Sequence, residues 1–193
     1  MDDLIEAMIS CPQTKDLNVL EHGQMVHNYF CDIYYYLKEN KPLKYEWKIP
    51  SWLDKYRSEL LNHLLDFETL KTYQIYHDCG KPFCRTIDSE GKQHFPNHAT
   101  VSADIWYQLT NHKIVSGLIA QDMDIHLLKN DGVEEFASRT YAVSLLLTGL
   151  AELHANASMF GGIDSISFKI KYKNIEKRGK AILKKIIEEN GNN

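Results

Sequence analysis

The chain has no long apolar run, no excess of positive charge and few of the residues that mark disulfide or fibrous scaffolds. Its four cysteines (Cys11, Cys31, Cys79 and Cys84) include no CxxC pair, so reduced thiols and a cytoplasmic location are expected. Five prolines and 25% charged residues exclude a disordered, collagen-like or coiled-coil chain. The most apolar stretch, AVSLLLTGLA, falls well short of the roughly 18 residues a membrane span needs. No charged-then-apolar leader opens the sequence, and secretion is not expected. With 22 basic against 26 acidic residues the net charge is -4, so no global basic field advertises nucleic-acid binding, though a local groove can still be basic. Also missing are GxSxG, GxxxxGK[ST], a Gly-rich dinucleotide loop and any repeat of 20–50 residues. Nothing therefore suggests a covalent intermediate.

What is present is helix-forming. At 193 residues and 44% hydrophobic content the chain suits one domain, at most with a small appendage. Asn18 to Lys38 carries apolar residues at helical spacing. Pro42 and Pro50 bracket a connector, after which Ser51 reads as the N-cap of a helix bearing Leu53 to Leu65. A short helix over Lys71 to Tyr76 runs into His77-Asp78-Cys79-Gly80-Lys81-Pro82, where Gly80 and Pro82 end regular structure. Asp88 and Gly91 mark a loop or small hairpin within 83–95. Asn97 reads as a cap for a helix, Lys113 to Ala120 as another, and Gly132 to Ala157 as a long buried one. Past Gly161-Gly162, Ile166, Phe168, Ile170 and Tyr172 alternate with polar residues, which is strand periodicity, and an amphipathic helix closes the chain. The Lys-rich outer face of this tail reads as a solvated face.

The chemistry concentrates in histidine. Nine are present, and the densest group runs from the His77-Asp78 doublet through His94 to His98. An imidazole nitrogen and a carboxylate oxygen at a helix end can share one divalent cation, for which borderline ions suit the mixture. Further ligands must come from distant helices, with His22, His27, His98, Asp122, His126 and Glu152 as candidates. His27 reads as structural, and His63, His112, His126 and His154 as surface or packing residues.

The strings LEHGQMVH, YHDCGKP, HFPNHATVSADI and LLLTGLAELHANA together resemble the HD-domain superfamily of metal-dependent phosphohydrolases over roughly residues 18–157. The stretch after the doublet is similar to the HD domains of CCA-adding enzymes and of RNA-repair HD phosphatases. The resemblance implies an all-α, HD-domain-like helical bundle over 1–160, to which the residue pattern adds a C-terminal strand-plus-helix appendage over 161–193. It implies metal ligation by His22, His77, Asp78 and Glu152, where Glu152 stands in place of the family's late Asp. Where two-metal members carry a further His, this chain reads Leu118-Ile119-Ala120-Gln121-Asp122. His98 and Asp122 are then the candidates for a second metal or for phosphate.

The activity so implied is hydrolysis of a phosphoester of a nucleotide or RNA end by a metal-activated water. The ion could be Mn, Co, Ni, Zn, Fe or Mg, with Mn favoured. Asp78 would orient the water, while Lys81 and His94 would face the phosphate. No membrane is expected as partner, and a separate polynucleotide kinase or ligase would supply the missing half of a repair reaction. The competing class is a catalytically reduced HD-fold module that binds a nucleotide or RNA without chemistry.

Overall fold

The computed structural model describes residues 1–191. The helices are α1 (Asp2–Ser10), α2 (Val19–Glu39), α3 (Ser51–Lys55), α4 (Arg57–Asn62), α5 (Phe67–Tyr76), α6 (Lys81–Cys84), α7 (His98–Thr110), α8 (Lys113–Ala120), α9 (Asp124–Leu127), α10 (Val133–Ala137), α11 (Ala142–Ala155) and α12 (Ile166–Gly191). One antiparallel hairpin joins β1 (Thr86–Ile87) to β2 (Gln93–His94), with Thr86 opposite His94. The all-α class expected from the sequence therefore holds. Among the described residues no helix is long and apolar enough to cross a membrane.

The chain forms two compact units, one from Met1–His27 with Asp66–Met123, the other from Asn28–Leu65 with Asp124 onward. In the first, α1, α5, α7 and α8 bury Leu4, Met8, Leu70, Tyr73, Trp106, Val115 and Leu118. The hairpin follows from its turn. Asp88 Oδ1 accepts from the amides of Glu90 and Lys92 at 3.0 and 2.9 Å, and Gly91 takes φ +79°.

In the second unit α11 is the most buried element, with ten consecutive residues from Ala142 to Ala151 shielded from solvent. The expected single helix over 132–157 is interrupted, however, and the chain leaves helical form between Ala137 and Ala142. There Ser138 Oγ turns back onto the Glu135 carbonyl at 2.8 Å, a local bond that competes with helix propagation. The helix expected from Ser51 likewise divides into α3 and α4. Its N-cap is Pro50, and Ser51 instead donates its hydroxyl to Glu176 on α12 at 2.7 Å.

The strand expected over Ile166 to Tyr172 is instead the first two or so turns of α12. Ser165 Oγ accepts from the Phe168 amide at 3.1 Å, capping the helix. Phe168 is fully buried, whereas Ile166 and Ile170 are 79% and 59% exposed, so alternation does not match the burial. Phe168 and Tyr172 stack one helical turn apart, as helix neighbours do.

His154 on α11 carries a pH-dependent share of this unit's stability. It is 1% exposed, its Nδ1–H donates to the Leu150 carbonyl at 2.8 Å, and its Nε2 accepts from the Lys48 amide at 3.1 Å. Burial lowers its pKa from 6.5 to about 4. A histidine depressed in the folded state is protonated first in the unfolded chain, so stability is fully present above about pH 6.5 and is lost as pH falls towards about 4. The expected loss is on the order of 3 kcal/mol. Urea unfolding at pH 7 and pH 4.5 measures it, and the fall between the two should shrink in His154→Gln. An equal fall in both proteins would assign the dependence to other groups.

Candidate metal centre

The local sequence sets up each side chain of the first unit's buried polar cluster. At the start of α2, Asn18 Oδ1 accepts from the Glu21 amide and Glu21 Oε2 accepts from the Asn18 amide, both at 2.9 Å. This reciprocal capping box fixes where the helix begins and hence the turn on which His22 lies. Gly23 follows, and a Cβ there would stand 2.1 Å from the Ile75 carbonyl oxygen. The backbones of α2 and α5 thus meet where only glycine fits, bringing the His22 and His77 ring centroids to 5.2 Å.

His77 closes α5 and Asp78 enters the turn that follows. Gly80 in that turn donates its amide to the buried Ser102 Oγ of α7 at 2.8 Å. A Cβ on Gly80 would stand 2.4 Å from the Ser102 amide nitrogen, so the doublet is pressed against α7. Cys79 is inert within this packing, because burial and then the Asp78 charge push its thiol up to about 12.

His22, His77 and Asp78 are 1%, 2% and 1% exposed, and each offers one ligand atom within 4.8 Å of the others. The His77 Nδ1–H donates to the Gln74 carbonyl at 2.8 Å, which leaves Nε2 to face Asp78 Oδ2 at 3.2 Å. The His22 Nε2 stands 3.6 Å from the same oxygen. His98 repeats the device: its Nδ1 bonds the Phe95 carbonyl at 3.1 Å while Nε2 lies 3.6 Å from Asp78 Oδ1. Pinning one ring nitrogen to a carbonyl fixes the tautomer that presents the other as a ligand. Asp78 Oδ1 is buried without a hydrogen bond. Burial alone would raise the Asp78 pKa, but the charges of His77, Lys81 and His22 outweigh it and hold the group well below the usual carboxylate range. A buried ionised carboxylate among imidazole Nε2 atoms is a donor set that fits a borderline divalent ion.

Asp122 belongs to the same unit. One of its oxygens lies within 4.8 Å of a His77 ring nitrogen, and Tyr73 donates its hydroxyl to Oδ1 at 2.5 Å. Lys81 Nζ is 2.6 Å from Asp78 Oδ2 and 3.1 Å from Gln13 Oε1. Gln13 also approaches Asp78 Oδ2 at 3.4 Å through Nε2. Neither Gln13 nor Tyr73 carries a signal in the sequence that would have assigned it here.

Of the expected participants in the first unit, His94 is drawn away from this cluster. His94 is in the hairpin, half-exposed and paired with Asp88 at 2.7 Å. His27 bonds Gln74 Oε1 at 2.8 Å, in keeping with a structural role. Glu152 sits on α11 of the second unit, where His126 Nε2 is 3.0 Å from its carboxylate. Comparison with family models, curated proteins and solved structures finds no match for this chain.

Proposed function

We propose that the first unit carries an HD-type, metal-dependent phosphohydrolase centre acting on a phosphoester of a nucleotide or RNA end. The observation that supports it most is the convergence of His22, His77 and His98 on Asp78, two of the rings held by backbone carbonyls. His22, His77 and Asp78 would hold the ion, with His98 and Asp122 placed to take a second ion or a phosphate. Bound there, a divalent ion supplies an activated water and polarises a phosphoryl oxygen. Asp78 acts through its charge and by accepting a hydrogen bond that orients the nucleophile. Lys81, 8% exposed, is an ammonium at the rim of the cluster that can neutralise a non-bridging oxygen.

The reduced, non-catalytic reading also has an observation behind it. The Lys81 ammonium already neutralises Asp78 at 2.6 Å, a pairing a purely structural cluster would also show.

Purified protein loaded with Mn, Co, Ni, Zn, Fe or Mg, and assayed on mono-, cyclic and polyphosphate nucleotides and RNA ends, separates the two. Stoichiometric metal with turnover supports the enzyme, and metal-independent nucleotide binding supports the module. In Lys81→Ala the bound metal should stay and turnover should fall about 10²–10³-fold, the effect of one lost electrostatic donor. Metal lost together with activity, or an unchanged rate, would give Lys81 a different role.

A further inference from the structure

The helical form of the C-terminal segment arranges its lysines in a way the strand reading does not. Eight of the 22 basic residues but three of the 26 acidic ones fall within α12, giving this helix +5 in a chain of -4. At about 100° per residue, Lys169, Lys173, Lys177, Lys180 and Lys184 share a sector roughly 80° wide and about 22 Å long. All five are exposed. The buried face of the helix, bearing Phe168, Ile175, Ile182, Leu183 and Ile186, lies on the opposite side. Among the described residues no carboxylate pairs with Lys173 or Lys177, while Lys169 and Lys184 have exposed partners in Asp164 and Glu188, and Lys180 pairs with the largely buried Glu176. The exposed pairs contribute little and exchange readily for a phosphate.

We propose that this lysine stripe is a docking surface for the phosphodiester backbone of a nucleic acid. Charge complementarity selects the partner: a row of cations about 22 Å long matches about six successive phosphates of one strand. No aromatic ring on the stripe is offered for base stacking, because Tyr172 is engaged with Phe168 and His154. The contact is therefore independent of base sequence. An anionic membrane is the weaker match. Exposed large apolar residues on α12 are confined to Ile166 and Ile170 near its start, and the continuous apolar face is spent on the fold. The surface belongs to the second unit and does not depend on the metal reading of the first.

The test is binding of the full chain, in EDTA, to a fluorescent 20-base-pair RNA duplex between 50 and 200 mM salt. A DNA duplex, a single strand and phosphatidylserine vesicles are run alongside. Five neutralised phosphates give a log–log salt slope of about -4.5, and the double variant Lys173→Gln with Lys177→Gln should reduce it by about 2. Affinity at low salt should fall roughly tenfold or more. The exposed pair Lys15→Gln with Lys113→Gln, outside α12 in the chain, should leave both quantities unchanged. Absence of duplex binding, an equal loss in the control pair, or binding to vesicles but not to duplexes would overturn the proposal. Keeping EDTA present separates its failure from failure of the metal-dependent activity.

Discussion

Asp78→Ala is expected to reduce bound divalent metal to background and to remove metal-dependent hydrolysis. This carboxylate is the centre on which His22, His77 and His98 converge, and no other acid is within hydrogen-bonding distance of Lys81 among the described residues. A methyl group in its place leaves three imidazoles and an ammonium with nothing to offset a dication. The change also costs stability, because Asp78 is 1% exposed and its partner Lys81 is 8% exposed. Breaking one side of a buried ion pair typically costs 3–5 kcal/mol, and the loss should lie near about 3 because Lys81 can turn towards water. Metal analysis after dialysis reads the first effect and urea unfolding the second. Asp78→Asn keeps the shape and separates charge from packing: it should lose the metal as well. Metal retained at full stoichiometry in either variant would remove Asp78 from the site, whatever the activity.

Gly23→Ala sets two magnitudes against each other. In an exposed helix interior, glycine to alanine stabilises by about 1 kcal/mol through backbone propensity. Here the new Cβ would lie 2.1 Å from the Ile75 carbonyl oxygen and 2.8 Å from its carbon, both backbone atoms that cannot rotate away. The helices must part, and overpacking of this severity costs about 3 kcal/mol or more. The expected result is therefore a net destabilisation, opposite in sign to the propensity. Because Gly23 adjoins His22, separating α2 from α5 should also weaken metal binding without touching a ligand. Unfolding free energy and metal affinity of the variant are measured together. A stabilised Gly23→Ala protein would show that the two backbones do not meet there.

The parts of the fold legible in the sequence are those decided within one helical turn or one hairpin. The box of Asn18 with Glu21 starts α2, and Asp88 with Gly91 turns the hairpin. Apolar spacing marks α8 as Lys113–Ala120 and the burial of α11 around Leu145 to Leu150. The His77-Asp78 doublet and His22 sit at local landmarks, a helix end and a helix start, but their reading as ligands rests on the family resemblance. Alternation misled over Ile166 to Tyr172, because lysines between apolar residues satisfy a strand period as well as a helix, and Ser165 decides for the helix by capping it. Which lysines share a face was consequently hidden. The tertiary structure alone decided the pairs far apart in the chain: Gln13 with Asp78 and Lys81, Tyr73 with Asp122, and the meeting of Gly23 with Ile75. A side chain's own residue type fixes what it can bond. Which partner it reaches depends on how segments some fifty or more residues apart are packed together, and no local period records that.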